Sequence, residues 1–211
     1  MNERWTATAT DPNRSFGPMS ELRTDESSML MKFLRELGVK DDKTCYMTKW
    51  LCHIDLHETT DSDVTEFRPA KTSRDGLTEY DNHVPDGFYL VGDSCDIHGN
   101  ELTDNKDQLD FYNYILKRVE GITHVAETEP GGTLSGYPAT SRGLILVPAK
   151  KYGICSGGAV PSAPFVATTE VYPDSDRVTD EDCINAQVEC ICAELSFEEG
   201  CDFDTLRSTC S

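Results

Sequence analysis

The stretch KWLCHIDLH at residues 49–57 alternates between apolar and polar side chains, which is typical of a half-buried β-strand. In a strand, Cys52, Ile54 and Leu56 point to one side, and the polar residues between them point to the other. A strand with one apolar face needs other elements to cover that face. The segments on either side of this stretch therefore decide the fold class.

Three segments have the spacing of amphipathic helices. In residues 27–37 the apolar side chains fall on one helical face, with Ser27 as the expected N-cap and Gly38 just past the end. A second helix is expected to begin at Asn105 or at the residue before it. A third begins at 179–182, where Thr-Asp-Glu-Asp forms a capping box with Asp in place of the usual Glu or Gln.

Further strands are expected at 88–92, 144–147 and 165–171. The polar segment 58–86 and the glycine-rich segment 131–136 are expected to be loops. This order of elements lacks the regular alternation of strands and helices in a doubly wound fold. It predicts an α+β fold in a single compact domain, with a small, mainly antiparallel sheet and about three helices.

The chain is expected to have three parts. Residues 1–25 form a polar N-terminal arm, residues 26–196 form the α+β domain, and residues 197–211 form an acidic, cysteine-containing tail. The threonine-rich alternation of the arm suits strand addition to a neighbouring molecule. We therefore expect the arm to contact other protein subunits.

The charge balance excludes several classes of partner. The chain has 38 acidic and 19 basic residues, a net charge of -19. This excess disfavours direct binding of nucleic acid and of anionic membranes. We also find no apolar run long enough to span a bilayer. The N-terminus lacks the apolar region of a classical signal peptide, which predicts a location inside the cell or within a virion.

The chain contains nine cysteines, and six of them follow residue 151. Their spacing contains no C-x2-C pair, so the pattern does not support a zinc ribbon or finger. Without a signal peptide, free and mostly buried thiols are expected. Disulfides and a thiolate metal cluster remain the alternatives.

The strand at 49–57 also carries a candidate metal site. His53, Asp55 and His57 would lie on one face at steps of about 6.6 Å. Two imidazoles and a carboxylate suit Fe(II), Mn(II) or Zn(II). The alternative interpretation is the exposed polar face of a half-buried strand. Further ligands could come from the remaining histidines, which are His83, His98 and His124.

Two short motifs resemble those of known enzyme families. His53-Ile54-Asp55 resembles the H-x-D element of 2-oxoglutarate-dependent oxygenases, but that family needs a later histidine and none follows His124 here. The stretch GICSGG at 153–158 is similar to the nucleophile turn of viral chymotrypsin-like cysteine proteases, whose glycines free amides for an oxyanion hole. The chain has too few expected strands for that two-barrel fold. A glycine-rich turn with a buried thiol is the favoured interpretation.

By elimination, the sequence predicts a non-catalytic structural or interaction subunit of a larger protein assembly, such as a virion or phage head or tail component. No cofactor is expected in that role. One alternative is a metal-dependent enzyme centred on His53, Asp55 and His57 with a divalent ion. The other is an acidic binding module that mimics nucleic acid and docks on a basic protein.

Overall fold

The alternating stretch forms an edge strand of the sheet. Strand β1 (Cys52–Glu58) pairs in parallel with β6 (Phe165–Val171), and β6 pairs antiparallel with β2 (Tyr89–Asp93). The structure is a computed structural model. It describes residues 4–17, 24–39, 50–78, 83–95, 99–161 and 163–199.

Three further strands extend the sheet beyond β2. Strand β5 (Leu144–Val147) pairs in parallel with β2, β4 (Tyr137–Ser141) pairs antiparallel with β5, and β3 (Thr133–Leu134) pairs antiparallel with β4. The strand order is β1-β6-β2-β5-β4-β3. The sheet is therefore mixed, with both parallel and antiparallel pairs.

Six helices accompany the sheet in the described residues. They are α1 (Asp25–Glu36), α2 (Arg68–Asp75), α3 (Lys106–Val119), α4 (Ala149–Tyr152), α5 (Cys155–Gly158) and α6 (Asp180–Glu199). A π-helical turn, Asp63–Phe67, runs directly into α2. A 3-10 turn, Pro12–Arg14, lies in the N-terminal arm.

The predicted small, mainly antiparallel sheet with about three helices is wrong, although the class remains α+β. Strands β1 and β6 lie far apart in the chain, and no local pattern reveals their parallel pairing. Strands β3 and β4 flank a tight turn in the segment that we expected to be a loop. Ser135 and Gly136 have φ angles of 52° and 77° there. Positive φ at both central residues is the requirement of a type I′ hairpin turn.

Physical reasons also explain why the sequence patterns did not predict α2, α4 and α5. The polar segment 58–86 contains the π-helical turn and α2, and Thr72 is the buried residue of α2. A helix with so little apolar surface has no periodicity to detect. Helices α4 and α5 have four residues each, which is too short for an amphipathic pattern.

Polar caps begin the longer helices. Asn105 Oδ1 accepts a hydrogen bond from the backbone N–H of Gln108 at 3.1 Å, which confirms that start. The predicted capping box of α6 is also confirmed, because Thr179 Oγ1 accepts from Asp182 N at 3.2 Å and Asp182 Oδ2 accepts from Thr179 N at 2.9 Å. Helix α1 begins one turn earlier than expected. Its cap is Thr24, whose Oγ1 accepts from the N–H of Ser27 at 3.2 Å.

Helices α3 and α6 cover one face of the sheet. The core between them contains Phe88, Leu90, Phe111, Tyr112, Ile115, Val119, Ala167, Ala186, Cys190 and Ala193. The hydroxyl of Tyr112 donates to the carbonyl of Val166 at 2.9 Å and accepts from Gln108 Nε2 at 3.0 Å. A Cβ at Gly92 would lie 2.5 Å from the Tyr112 ring, so only glycine lets α3 approach this closely.

The N-terminal arm packs on the opposite face. Phe16 is 7% exposed and lies in a second core with Met31 and Leu34 of α1. A Cβ at Gly158 would lie 2.4 Å from the carbonyl oxygen of Phe16, so α5 also touches the arm. Residues 4–17 therefore lie against the body of their own chain. Most of the predicted tail, from residue 200 onward, lies outside the described residues.

Among the described residues, Cys95, Cys155, Cys183, Cys190 and Cys192 are free thiols. Cys183 and Cys190 are buried in the core between α3 and α6. Cys45, Cys201 and Cys210 lie outside the described residues. In the same part of the chain, no helix has both the length and the apolar character needed to cross a bilayer.

The packing of the arm predicts a difference between two phenylalanines. We expect Phe16→Ala to lower the free energy of unfolding by about 3–5 kcal/mol, because it leaves a cavity beneath the arm. The matched control is Phe33→Ala, since Phe33 lies on α1 and is 54% exposed. Urea unfolding followed by circular dichroism measures both. Equal losses in the two variants would show that Phe16 is not anchored in the core.

Candidate functional site

A pocket of about 360 Å³ lies between the arm, α2 and the face of the sheet opposite α3 and α6. The sheet forms its floor, and the arm and α2 form its roof. Side chains of both kinds line it: apolar ones from β2, β5 and the turn before α5, and titratable ones from β1 and β6. This combination is typical of sites for small molecules.

Three titratable side chains form a row across the floor. His57 on β1 pairs in register with Glu170 on β6, and Glu170 pairs in register with Tyr89 on β2. Neighbouring strands lie about 4.8 Å apart, so the three side chains lie next to each other on one face. We call this set the titratable row.

Asp55 supports the imidazole of His57 from the next position on the same face. His57 Nε2 lies 3.0 Å from Asp55 Oδ2 and 3.4 Å from Asn13 Nδ2 of the arm. Burial by itself lowers the pKa of His57, but the hydrogen bond and charge of Asp55, with the charge of Glu170, outweigh burial. The net pKa of His57 is raised, which favours the imidazolium form.

Glu170 is the second titratable group of the row. Its Oε2 accepts a hydrogen bond from Thr59 Oγ1 at 3.0 Å, and the same hydroxyl lies 3.1 Å from the Tyr89 hydroxyl. Burial raises the pKa of Glu170 to about 7, against the opposing effects of His57, Thr59 and Arg4. Glu170 can therefore exchange a proton near neutral pH.

Four cationic side chains form the roof. They are Arg4 and Arg14 of the arm and Arg68 and Lys71 of α2. Arg4 Nε lies 3.3 Å from Asp11 Oδ2, and its guanidinium stacks over the Phe67 ring at 3.6 Å. Its Nη1 also lies 3.6 Å from Asp63 Oδ1, so Arg4 is held by two carboxylates and an aromatic ring.

Arg14 differs from Arg4 because it makes no ion pair with any described residue. Its Nη1 donates to the carbonyl of Asn13 at 2.7 Å. Desolvation lowers the pKa of Arg14, although Asp11 opposes this effect. Arg14 is an exposed residue that lines the pocket, so its guanidinium is available to an anionic partner.

The arm is fastened to the helix that carries part of the roof. Trp5 stacks on Phe67 with ring centroids 5.1 Å apart, and the guanidinium of Arg74 lies 4.2 Å from the Trp5 ring. At the other end, Asn13 Oδ1 accepts from the backbone N–H of Cys155 at 2.7 Å. These contacts hold Arg4 and Arg14 over the floor.

The structure brings together two of the three residues of the predicted metal site. Asp55 contacts His57, whereas Nδ1 of His53 lies 2.8 Å from the carbonyl oxygen of Ser156 on α5. Burial lowers the pKa of His53 and outweighs the bond to Ser156 and the charge of Asp55. No group of three or more His, Cys, Asp or Glu side chains within the described ranges could hold a metal ion. The metal site stays a prediction from sequence.

The other two histidines of the described residues pair with carboxylates outside β1. His83 Nδ1 pairs with Glu129 Oε1, and His124 Nε2 pairs with Asp86 Oδ1, each at 3.0 Å. His98 lies outside the described residues.

The glycine-rich turn at 153–158 places Cys155 against the body of the protein. Burial raises the pKa of the Cys155 thiol to about 12, and the charge of Asp55 and its hydrogen bond with the thiol add to this effect. A thiol with such a pKa is protonated at neutral pH, whereas a nucleophilic cysteine needs a lowered pKa. Cys155 is half-buried at the first residue of the short helix α5.

Sequence reasoning missed Glu170, Arg4 and Arg14. Glu170 is a single carboxylate in the expected strand 165–171, and alternation places it on the face opposite Ala167. This lone carboxylate was the sequence feature that could have identified Glu170 as a candidate site residue. The two arginines lie in an arm that we expected to contact other subunits. Only the folded arm shows that they belong to a pocket.

No protein-family model matches this sequence, and no curated protein matches it significantly. The function is therefore inferred from the pocket, its charges and the exposed surfaces of the fold.

The pKa values of the two histidines of β1 should be shifted in opposite directions. We expect His57 to titrate above its usual pKa of 6.5 and His53 to titrate below that value. Asp55→Asn should lower the pKa of His57, because the substitution removes the charge that stabilises the imidazolium. Side-chain NMR titration measures both groups, with Asp110→Asn on exposed α3 surface as the control. An unchanged His57 pKa in Asp55→Asn would contradict the pairing.

The same pairing sets a pH dependence of stability. Because the folded-state pKa of His57 is raised above its unfolded value, protonated His57 stabilises the fold below pH 6.5. This contribution disappears as the pH rises through the folded-state pKa. Asp55→Asn should reduce this part of the pH dependence, which urea unfolding at a series of pH values measures.

Proposed function

We propose that this chain binds a small anionic ligand with an apolar body in the pocket between the arm, α2 and the sheet. The ligand's charged group would lie beneath Arg14 and Arg4. Its body would lie on the apolar part of the floor and walls, which is formed by Val91, Ile145, Val147 and Ile154.

The observation that supports this proposal is the concentration of positive charge over one pocket of a strongly acidic chain. The net charge is -19, yet four cationic side chains line this pocket and outnumber its three acidic ones, Glu58, Asp63 and Glu170. With this net charge, most of the protein surface repels anions, so a cluster of cations above one pocket points to a specific role for those cations. Arg14 makes no ion pair with the described residues, so it is the cation that would gain most from binding an anion.

The size of the pocket limits the ligand. Ligand pockets commonly have volumes of about 300–1,000 Å³, and about 360 Å³ lies at the small end of this range. The wall combines apolar side chains with the titratable row. A compact molecule with one anionic group and one apolar group therefore fits better than a polymer.

Benzenesulfonate is a suitable probe because it combines an apolar ring with a charge that does not titrate near neutral pH. We expect Arg14→Gln to weaken its binding about 10- to 100-fold, since a hydrogen bond to a charged group is worth about 1.5–3 kcal/mol. Isothermal titration calorimetry measures the dissociation constant.

Arg142→Gln is the matched control. It removes the same charge, but Arg142 pairs with Glu120 and Glu127 away from the pocket. Neutral benzenesulfonamide should bind more weakly than benzenesulfonate. The proposal fails if benzenesulfonate does not bind, or if both arginine variants weaken it equally.

Helix α6 supports a second candidate function, as a protein-binding subunit. Ile184, Val188 and Ile191 are 61, 44 and 40% exposed, and their spacing places them on one helical face. The sequence of α6 contains no Lys or Arg, and its first turn is acidic. An apolar row in acidic surroundings fits a basic amphipathic helix of a partner protein.

This second proposal places the contacts with other subunits on α6 and not on the N-terminal arm. From sequence, residues 1–25 were expected to make them. Residues 4–17 lie on the body of their own chain, and Phe16 is part of its core. Helix α6 is therefore the surface that we propose for a partner.

A synthetic helical peptide with leucine on one face and lysine on the other tests this surface. We expect Ile184→Ser/Val188→Ser to weaken its binding at least about tenfold, because each buried side chain contributes about 1.5–3 kcal/mol. Fluorescence anisotropy of the labelled peptide gives the affinity. Met29→Ser/Phe33→Ser changes exposed apolar residues of α1 and serves as the control. Equal effects of the two double variants would contradict a specific site on α6.

A further inference from the structure

We propose that the pocket takes up its anionic ligand together with one proton, and that this proton resides on Glu170. The inference rests on the proposed function, because it concerns the same pocket. It assigns Glu170 as a group that touches the ligand. It also makes binding dependent on pH.

The position of Glu170 supports this role. Its carboxylate lies between His57 and Tyr89 in the titratable row, beneath the roof. Oε2 is engaged, since it accepts from Thr59 Oγ1 at 3.0 Å. Oε1 has no hydrogen-bond partner in the part of the chain that the structure describes. That oxygen is the atom available to a ligand.

Charged and titratable groups face Glu170 from each element around it. His57 faces it from β1, Tyr89 from β2, Asp63 from the π-helical turn, and Arg4 and Arg14 from the arm. Arg68 and Lys71 of α2 line the same pocket. The charge of Asp63 disfavours ionisation of Glu170, and the charges of His57 and Arg4 favour it. Burial is the largest influence and raises the pKa of Glu170 to about 7.

An anion beneath Arg14 would change this balance. A ligand that brings a negative charge close to an ionised Glu170 meets repulsion from that carboxylate. If Oε1 takes a proton from solvent, the repulsion disappears, and the new O–H can donate a hydrogen bond to the ligand. The protonated acid then binds the anion, and no bond other than this O–H forms or breaks.

His57 is the competing site for the proton. Its Nε2 already lies 3.0 Å from Asp55 Oδ2, and this pairing favours the imidazolium before any ligand binds. Nε2 of His57 is therefore engaged with Asp55, whereas Oε1 of Glu170 is open to the ligand. Glu170 is the group that can present a new O–H to the bound anion.

Benzenesulfonate tests the inference because the probe itself neither takes up nor releases a proton near neutral pH. We expect it to bind about tenfold more tightly at pH 6 than at pH 8, since the protonated fraction of a group with a pKa near 7 falls about tenfold over that range. Calorimetry at pH 8 in HEPES and in Tris, which differ in ionisation enthalpy, should show uptake of about one proton per ligand.

Glu170→Gln should remove both effects. Its glutamine is neutral at every pH, so its affinity should be the same at pH 6 and pH 8 and close to that of the wild-type protein at pH 6. Glu181→Gln on the exposed start of α6 is the matched control and should keep the wild-type pH dependence. His57→Gln should retain proton uptake at pH 8.

The outcomes separate the two proposals. Absence of benzenesulfonate binding at both pH values overturns the proposed function. Binding without pH dependence, or pH dependence that is lost in His57→Gln and kept in Glu170→Gln, overturns the assignment to Glu170 alone. Should Glu170→Gln fail to fold, infrared spectra of the wild-type protein at pH 8 decide. A protonated carboxylic acid band that appears on binding supports the inference, and its absence contradicts it.

Discussion

The parallel pairing of β1 with β6 joins two segments that lie far apart in the chain. The register sets Asp55 opposite Thr168 and His57 opposite Glu170. Because side chains alternate between the faces of a strand, a slip of one residue would move Glu170 to the α3 and α6 side. The titratable row, and with it the floor of the pocket, depends on this register.

The second face of the sheet is covered by elements that are mostly polar. Here the arm supplies both an apolar anchor, Phe16, and the cations Arg4 and Arg14. Stacking of Trp5 on Phe67 joins the arm to the helix that carries Arg68 and Lys71. The same segment thus closes a core and supplies the roof of the pocket, which couples the stability of the arm to the shape of the site.

The charge distribution shows how the proposed anion site could exist in an acidic protein. The net charge of -19 repels anions at long range, and salt screens this repulsion over about 8–10 Å. Arg4, Arg14, Arg68 and Lys71 line one pocket, so their combined attraction acts at short range, where salt screens it little. In the proposed site, this local arrangement would decide whether an anion binds, whereas the net charge of the whole chain predicts that it would not.

Local patterns in the sequence determined several elements of this protein. The alternation in KWLCHIDLH predicted β1, and the polar residues Asn105 and Thr179 marked the starts of α3 and α6. These signals are local because a strand period or a helix cap involves residues close in sequence. The α+β class followed from them. The pattern also drew attention to Asp55 and His57, which line or support the pocket floor.

Tertiary structure alone decided the size and order of the sheet and the composition of the site. Which strand pairs with which depends on contacts between distant segments, and the alternation of a strand is the same for either partner. The polar helix α2 carries little periodic signal, because Thr72 is its buried residue. Glu170, Arg4 and Arg14 come from opposite ends of the chain. They come together in one pocket because of the β1–β6 register and the packing of the arm. No local sequence pattern predicts either of these long-range contacts.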